Sequence, residues 1–337
     1  MKKILGGSRI IKTGVAILLT AWICELLGWP PVFAVITAIV TIEPTVSASI
    51  KKGIVRFPAS AIGSAYAVIF ISLFGNSPIT YTLAAVLTIA TCFKLKLHAG
   101  LLVATLTSVA MIEVIHEDFF TSFLIRLGTT TIGLVVSTVV NMFVLPPDYR
   151  DDIAHNVEKI AKHTANVMKK IYADILDGKT SNKSELFDLL TKLEKEIKIN
   201  NTLIHFQKDE SKFHPLVASE KAVFQNTENK AKLLQRMHDD LDNLLLTPIH
   251  NLNWSEEEKE IIRSAASELA ESLKFESKYD IQIHHENQLN ITKIFWEDNA
   301  SITKSNQGHP TKFPPELILL YELLSFYNLV EQFYRKV

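Results

Sequence analysis

Cysteine is scarce in this sequence. Cys24 and Cys92 are the two thiols in 337 residues, and both lie inside apolar runs, which excludes a disulfide framework and a cysteine-based zinc site. We interpret both as small packing residues. A phosphate-binding loop is missing too, because neither G-x-x-x-x-G-K-S/T nor G-x-G-x-x-G occurs, and this argues against direct use of ATP. No cofactor, metal ion or nucleic-acid partner is predicted.

Charge is also scarce before Asp148, where apolar runs dominate. That part holds ten of the 35 Lys and Arg residues and only five of the 36 Asp and Glu residues. Six apolar segments predict six membrane-spanning helices, at residues 13–28, 32–43, 53–74, 79–93, 99–115 and 119–145. No small-residue cleavage site follows Lys2-Lys3, so we expect the first segment to be retained.

The loop charges predict the orientation of these segments, because Lys and Arg resist translocation. Positive charges lie before segment one, between two and three, between four and five, and after six. They are Lys2, Lys3, Arg9, Lys12, Lys51, Lys52, Arg56, Lys94, Lys96 and Arg150. The loops on the opposite side contain no Lys or Arg. We therefore expect a multi-pass protein of the cell membrane with both termini in the cytoplasm.

An internal repeat relates the first three segments to the last three, with an offset of 70 residues. The matched positions are Ala34 with Ala104, Thr37 with Thr107, Ile42-Glu43 with Ile112-Glu113, Arg56 with Arg126, and Ile62-Gly63 with Ile132-Gly133. Each half has three segments, so the second half would cross in the opposite direction, as in inverted-repeat transporters. The matched Glu and Arg residues carry most weight, because charges are rare in membrane segments.

These matched charges, Glu43 with Arg56 and Glu113 with Arg126, form the candidate substrate site. By topology the first pair lies near the cytoplasmic face and the second near the outer face. In the functional interpretation the arginines attract an anion and the glutamates are charge partners or proton carriers. In the alternative each pair is a structural ion pair, or Arg56 extends to the lipid headgroups. The functional interpretation is favoured for Arg126, about two helical turns into its apolar run.

Other residues that could carry chemistry are interpreted as structural. The residues expected at the membrane interface are Glu25, His98 and His116. The triplet His284-His285-Glu286 is not expected to bind metal, because neighbours on a helix point in different directions. Aromatic belts at the membrane surfaces are expected to contain Trp22, Trp29, Phe33 and Tyr81, with stacking on an aromatic substrate as the alternative.

From Asp148 onward the sequence changes to amphipathic helices. Apolar stripes recur at three- and four-residue spacing, beginning with Ile153, Val157, Ile160, Thr164, Val167 and Ile171. Ser255 and Glu258 predict a capping box, and residues 299–310 predict a polar loop. The chain is thus predicted to be all-α, with a six-segment transmembrane domain at residues 1–147 and a cytoplasmic helical bundle at residues 148–337.

Several short motifs accompany the six segments. They are Trp29-Pro30-Pro31, Arg56–Gly63, the run from Arg126 to Gly133, and Asn141 ahead of Pro146-Pro147. In these features the chain resembles the aromatic acid exporter family of the fusaric acid resistance superfamily, and its helical tail resembles that family's bacterial C-terminal domain. The resemblance implies export of aromatic or other organic carboxylates. The chain is more distantly similar to plant malate channels, which implies a dimer around an anion pathway lined by basic residues, here Arg56 and Arg126. Glu43-Pro44 in the second segment departs from that basic pattern.

The leading hypothesis is a membrane exporter of organic anions, chiefly aromatic carboxylic acids, that works as a homodimer in the lipid bilayer. A passive organic-anion channel is one alternative. A membrane-anchored regulatory protein, whose cytoplasmic bundle binds a partner, is another. An enzyme is not predicted, because no nucleophile–base or metal arrangement stands out.

Overall fold

The computed structural model describes residues 2–114, 118–178, 183–247, 252–305 and 314–335. The prediction of an all-α protein is confirmed for these residues, which contain no strand. Their helices are α1 Lys2–Leu26, α2 Val32–Thr41, α3 Val46–Phe74, α4 Pro78–Lys94, α5 Leu101–Val114, α6 Phe119–Phe143, α7 Arg150–Leu176, α8 Lys183–Glu210, α9 Ala218–Leu246, α10 Glu256–Lys274, α11 Ile281–Ser305 and α12 Pro315–Tyr334. Short 3-10 helices occupy His98–Gly100 and Glu276–Lys278.

The chain folds into two compact units. The first unit comprises the residues up to Asp148 together with Phe206–Pro215, and the second comprises Tyr149–His205 and the residues from Leu216 onward. The sequence did not predict that Phe206–Pro215, which includes the end of α8, would belong with the first unit. The buried face of α8 consists mainly of Leu and Ile as far as Ile204 and then continues with Gln207, Asp209 and Glu210, so the change of unit coincides with a change from apolar to polar buried residues.

The apolar helices of the first unit differ in length. By length and composition α3 and α6 are long enough to cross a membrane, whereas α2, α4 and the stretch His98–Glu113 are shorter. The third helix begins at Val46 rather than at the predicted Gly53, because the Thr45 side chain accepts a hydrogen bond from the Ala48 N–H at 3.1 Å and caps it. The non-helical residues between α2 and α3 include Glu43, a residue of the candidate site.

At the centre of the first unit, α3 packs against α6. The helices α1 and α2 pack on each other and on α6, and α4 and α5 pack on each other and on α3 in the same way. The third helix of each half therefore packs with the first two helices of the other half. The two halves are interleaved, and neither half buries its apolar surface alone.

Residues related by the 70-residue offset occupy equivalent contacts. A Cβ atom at Gly63 would overlap the carbonyl oxygen of Ala104, and one at Gly133 would overlap the carbonyl oxygen of Ala34. Glycine is required at both crossings because the two backbones are in direct contact. Where α3 crosses α6, the equivalent hydroxyls of Ser60 and Thr130 lie 3.4 Å apart.

The first helices of the two halves carry a second match, with an offset of 68 residues. The buried faces of α1 and α4 read Lys12, Ala16, Thr20, Cys24 and Thr80, Ala84, Thr88, Cys92. Both cysteines are fully buried, so their interpretation as packing residues is confirmed. The 70-residue offset does not reveal this match, because the segment from Cys92 to Ala104 is two residues longer than the segment from Cys24 to Ala34. Neither Thr20 nor Thr88 has a hydrogen-bond partner for its buried hydroxyl within the described ranges.

The second unit is a helical bundle in which α7 packs on α9 and α10, and α12 packs on α9, α10 and α11. All six residues of the stripe that begins at Ile153 are buried. The capping box is confirmed, because Ser255 Oγ accepts from the Glu258 N–H at 3.2 Å and Glu258 Oε2 accepts from the Ser255 N–H at 2.7 Å. The predicted loop at 299–310 is wrong as far as Ser305, where α11 ends; no Gly or Pro interrupts the chain before Gly308. The rest of that loop lies outside the described residues.

Candidate functional site

The first predicted charge pair is a closed ion pair between α3 and the end of α2. Arg56 Nη2 donates to Glu43 Oε1 at 2.9 Å, and Lys52 Nζ donates to Glu43 Oε2 at 2.8 Å. The other two nitrogens of Arg56 donate to carbonyl oxygens, of Val40 at 3.0 Å and of Ala99 at 3.3 Å. Arg56 is buried rather than extended to a surface. Each of its three nitrogens has an acceptor, which favours the structural interpretation for this arginine.

The second arginine, Arg126 on α6, is buried, and no carboxylate among the described residues pairs with it. It is 3 % exposed, and its Nη2 donates to the hydroxyl of Thr107 on α5. Nε and Nη1 have no hydrogen-bond partner among the described residues. The guanidinium carbon lies 4.2 Å from the ring centroid of Phe33, which covers one face. Arg126 is thus a buried cation with two donors left over.

Glu113, the repeat partner of Glu43, contacts a different side chain. Its carboxylate accepts a hydrogen bond from the Tyr81 hydroxyl on α4, and it is exposed. Within the described residues no ion pair joins Glu113 to Arg126. The two Glu–Arg pairs are therefore equivalent in sequence and different in contact.

Two aromatic residues expected in the interfacial belts lie close to α6. Phe33 is buried on α2 beneath the Arg126 guanidinium. Trp29 packs so closely on α6 that a Cβ atom at Gly128 would overlap its indole ring. Phe33 therefore contacts Arg126 itself, whereas Trp29 contacts α6 at Gly128, which faces a different side of the helix. Trp22, in contrast, is 58 % exposed, as a belt residue would be.

A polar cluster that sequence reasoning missed lies between α1, α3 and α6. Lys12 is 4 % exposed, and its Nζ donates to Asn141 Oδ1 at 2.9 Å. Asn141 Nδ2 donates to the carbonyl oxygen of Glu43 at 3.1 Å and to Ser49 Oγ at 3.0 Å. The sequence indicated Lys12 only as a loop charge. Its four-residue spacing from Ala16 is the signal that places it on the buried face of α1.

Glu210, in the part of α8 that belongs to the first unit, completes this cluster. It is 1 % exposed, and its Oε2 accepts from the Val46 N–H at 3.1 Å, at the start of α3. Its Oε1 lies 2.8 Å from His214 Nδ1. A carboxylate at the first N–H groups of a helix is favourable because it satisfies unpaired donors and opposes the helix dipole. Its charge also acts on the Lys12 ammonium.

The remaining candidates take structural positions. Glu25 is exposed, and the His98 ring meets Phe93 edge-on with centroids 5.1 Å apart. His284 Nε2 lies 3.0 Å from the Tyr327 carbonyl oxygen, and burial lowers the pKa of its imidazole. Among the described residues no three His, Cys, Asp or Glu side chains gather as metal ligands. His116 lies outside the described residues.

Comparison with known proteins gives two results. The model of "Aromatic acid exporter family member 1" matches residues 4–144, the stretch that contains α1 to α6. Relatives of nearly the whole chain are called UPF0421 proteins. One from Oceanobacillus iheyensis is 48% identical over 97% of this chain and 95% of its own length. One from Bacillus cereus is 43% identical over 97% and 92%, and one from Staphylococcus haemolyticus is 37% identical over 99% and 98%. The chain therefore belongs to the UPF0421 family, and its residues 4–144 match the model of the aromatic acid exporter family.

Proposed function

We propose that this protein exports organic anions, chiefly aromatic carboxylates, across the cell membrane, and that Arg126 binds the carboxylate. The match of residues 4–144 to an exporter family and the apolar helices support a membrane protein engaged in transport. The single observation that carries the proposal is the buried guanidinium of Arg126, two of whose nitrogens have no acceptor in the described part of the chain.

A buried arginine has few ways to lower its energy. It does not lose its proton, because the guanidinium pKa lies far above physiological pH, and an unpaired buried charge is costly. A carboxylate supplies both the charge and a planar pair of acceptors that matches the guanidinium fork. Phe33 adds aromatic surface beside it, which suits a substrate with an aromatic ring.

The pathway we propose runs through six spans arranged as an inverted repeat. The interleaved packing of the halves and the equivalent crossings at Gly63 and Gly133 support this proposal. We further propose that both termini and the bundle at residues 148–337 lie in the cytoplasm. In a variant with both native cysteines replaced by Ala, an impermeant thiol reagent added outside should label Ser77→Cys and spare Lys52→Cys. The reverse pattern would refute this topology.

We also propose a homodimer, because six helices of which several are short offer little surface to seal a pathway. Size measurement by light scattering in mild detergent and in nanodiscs should give twice the chain mass. A monomer in both media would contradict the dimer.

Efflux from reconstituted vesicles tests the function. Vesicles are loaded with labelled 4-hydroxybenzoate, and efflux is followed for the wild type, Arg126→Gln and Arg126→Lys. We expect Arg126→Gln to reduce efflux by on the order of ten- to a hundredfold, the loss of a charge-assisted hydrogen bond. Arg126→Lys should retain part of the rate, because it keeps the charge and loses the fork.

Two controls make this result specific. The double variant Arg126→Gln with Glu113→Gln should not regain efflux, because the two side chains do not contact each other. Acceleration of efflux by unlabelled anion outside would indicate a carrier, and its absence a channel. Full efflux by well-folded Arg126→Gln protein would refute the role of Arg126. A wild type with no efflux of any tested anion would instead favour a membrane-anchored regulatory protein.

A further inference from the structure

Lys12 is a buried charge that the packing of the first unit does not require. In α4 the equivalent position on the same four-residue face is Thr80, which is also fully buried. A small polar side chain therefore fits the equivalent contact. Burial of a lysine in its place costs free energy unless the charge is paired, so the ammonium calls for an anionic partner.

The Lys12 ammonium is also held in place, and not all of its N–H donors have an acceptor among the described residues. Lysine carries three N–H donors, and the acceptor found for Lys12 in the described part of the chain is Asn141 Oδ1. Asn141 cannot turn away, because its Nδ2 group donates to Ser49 Oγ and to the carbonyl oxygen of Glu43. Asn141 is therefore a positioning residue that fixes where the Lys12 charge lies.

We propose that Lys12, positioned by Asn141, is a second binding station for the transported anion, and that Glu210 is a tethered carboxylate that competes for it. This inference rests on the proposed function, in which Arg126 is the first station. The ligand class is an organic monocarboxylate, which would meet the ammonium with its carboxylate oxygens.

Glu210 has the properties of such a competitor. It is a carboxylate, it is 1 % exposed, and it accepts from the Val46 N–H in the first turn of α3, the helix whose Ser49 accepts from Asn141. Both of its oxygens already have partners, Val46 N–H and His214, that hold it near the cluster without neutralising Lys12 directly. A substrate carboxylate that reaches Lys12 must therefore overcome repulsion from Glu210. Removing that charge alone should make the station easier to fill.

Concentration-dependent transport by the full chain in vesicles tests this inference, with labelled benzoate, 4-hydroxybenzoate and malate as probes. Glu210→Gln keeps an oxygen to accept from the Val46 N–H and removes the charge. We expect it to lower the half-saturating concentration about threefold or more. Lys12→Thr, the residue found in α4, should raise that concentration about tenfold or more. The control is Glu194→Gln, a partly exposed carboxylate on α8 that pairs with Lys198 and should change nothing.

The outcomes separate this inference from the proposed function. A merely structural Glu210 would give unchanged or weaker transport in Glu210→Gln, and either result overturns the station. If Lys12→Thr fails to fold, the change in half-saturating concentration caused by Glu210→Gln still tests the inference: a decrease supports it, and no change or an increase overturns it. Transport that is sensitive to Arg126→Gln but indifferent to Glu210→Gln overturns the station alone. No wild-type transport of any of the three probes overturns both proposals.

Discussion

Arg56 and Arg126 occupy equivalent positions in the two halves of the first unit, and their surroundings are opposite. Arg56 has a carboxylate and two carbonyl oxygens, one acceptor for each nitrogen. Arg126 has one threonine hydroxyl and an aromatic ring. Because the helix crossings around them are equivalent, the fold itself does not account for the difference. The neighbouring groups supply an acceptor for every nitrogen of Arg56, whereas within the described residues two nitrogens of Arg126 have none.

The second unit contains a useful contrast to Arg126. Glu322 on α12 is also buried, and burial beside Asp240 raises the pKa of its carboxyl to about 7. A carboxylic acid can escape an unfavourable site by taking up a proton. An arginine cannot, so a buried arginine without a partner indicates a ligand more strongly than a buried glutamate does.

The largest expected effect is on the closed pair. Glu43→Gln leaves two cations, Arg56 and Lys52, without their carboxylate, and should destabilise the protein by about 3–5 kcal/mol. Adding Arg56→Gln should recover much of that loss, and unfolding in detergent measures both variants. In the corresponding double-mutant cycle of the second half, Glu113→Gln with Arg126→Gln, the coupling free energy between the two substitutions should be close to zero. Equal coupling in the two cycles would contradict the contrast between the halves.

A second prediction concerns Glu322 and the pH dependence of the bundle. The folded pKa of about 7 lies above the ordinary 4.5, so the folded state favours the neutral carboxyl. The contribution of Glu322 to the free energy of unfolding is therefore complete below pH 4.5. It is lost as the pH rises to 7, by roughly 3 kcal/mol at most. The hydrogen-exchange protection factors of α9 and α12, which are corrected for the pH dependence of the intrinsic exchange rate, should therefore fall across this range. Glu322→Gln should remove the dependence, whereas Glu331→Gln on the same helix should preserve it. A Glu322→Gln profile like that of the wild type would refute this assignment.

A smaller effect is expected at the helix crossings, and it should be the same in both halves. Gly63→Ala and Gly133→Ala each place a methyl group against a carbonyl oxygen, which should cost about 2 kcal/mol net of the better helix propensity of alanine. Gly14→Ala is the control, because nothing lies within 4 Å of its Cβ position, and it should be neutral or stabilising. If only one crossing is sensitive in detergent unfolding, the packing of the two halves is not equivalent.

The sequence predicted what depends on periodicity. The helices of the bundle, the capping box at Ser255 and the 70-residue repeat all follow from spacing along one chain. The start of α3 was missed, because Lys51, Lys52 and Arg56 resemble a loop on the basis of charge although they lie within a helix.

The partners of the site could not be predicted, because pairing depends on rotamers and on contacts between distant helices. The sequence left open whether the matched charges form two structural ion pairs, and among the described residues the structure contains one of them, Arg56 with Glu43. Lys12 and Asn141 are 129 positions apart, and Val46 and Glu210 are 164 apart. No local pattern links such residues. Only the recurrence of Ala, Thr and Cys on α1 and α4 hinted that Lys12 lies on a buried face.

The smallest effect is expected at Glu113. Its hydrogen bond from Tyr81 is exposed, so water replaces the hydroxyl in Tyr81→Phe and the stability of the protein should not change measurably. Efflux by Tyr81→Phe and by Glu113→Gln should match the wild type, with Arg126→Gln measured in the same vesicles. This is the sharpest comparison of the halves, because Glu43 at the equivalent position stabilises the fold. If Glu113→Gln instead reduces efflux as strongly as Arg126→Gln, Glu113 belongs to the pathway and acts there as a charge partner or proton carrier.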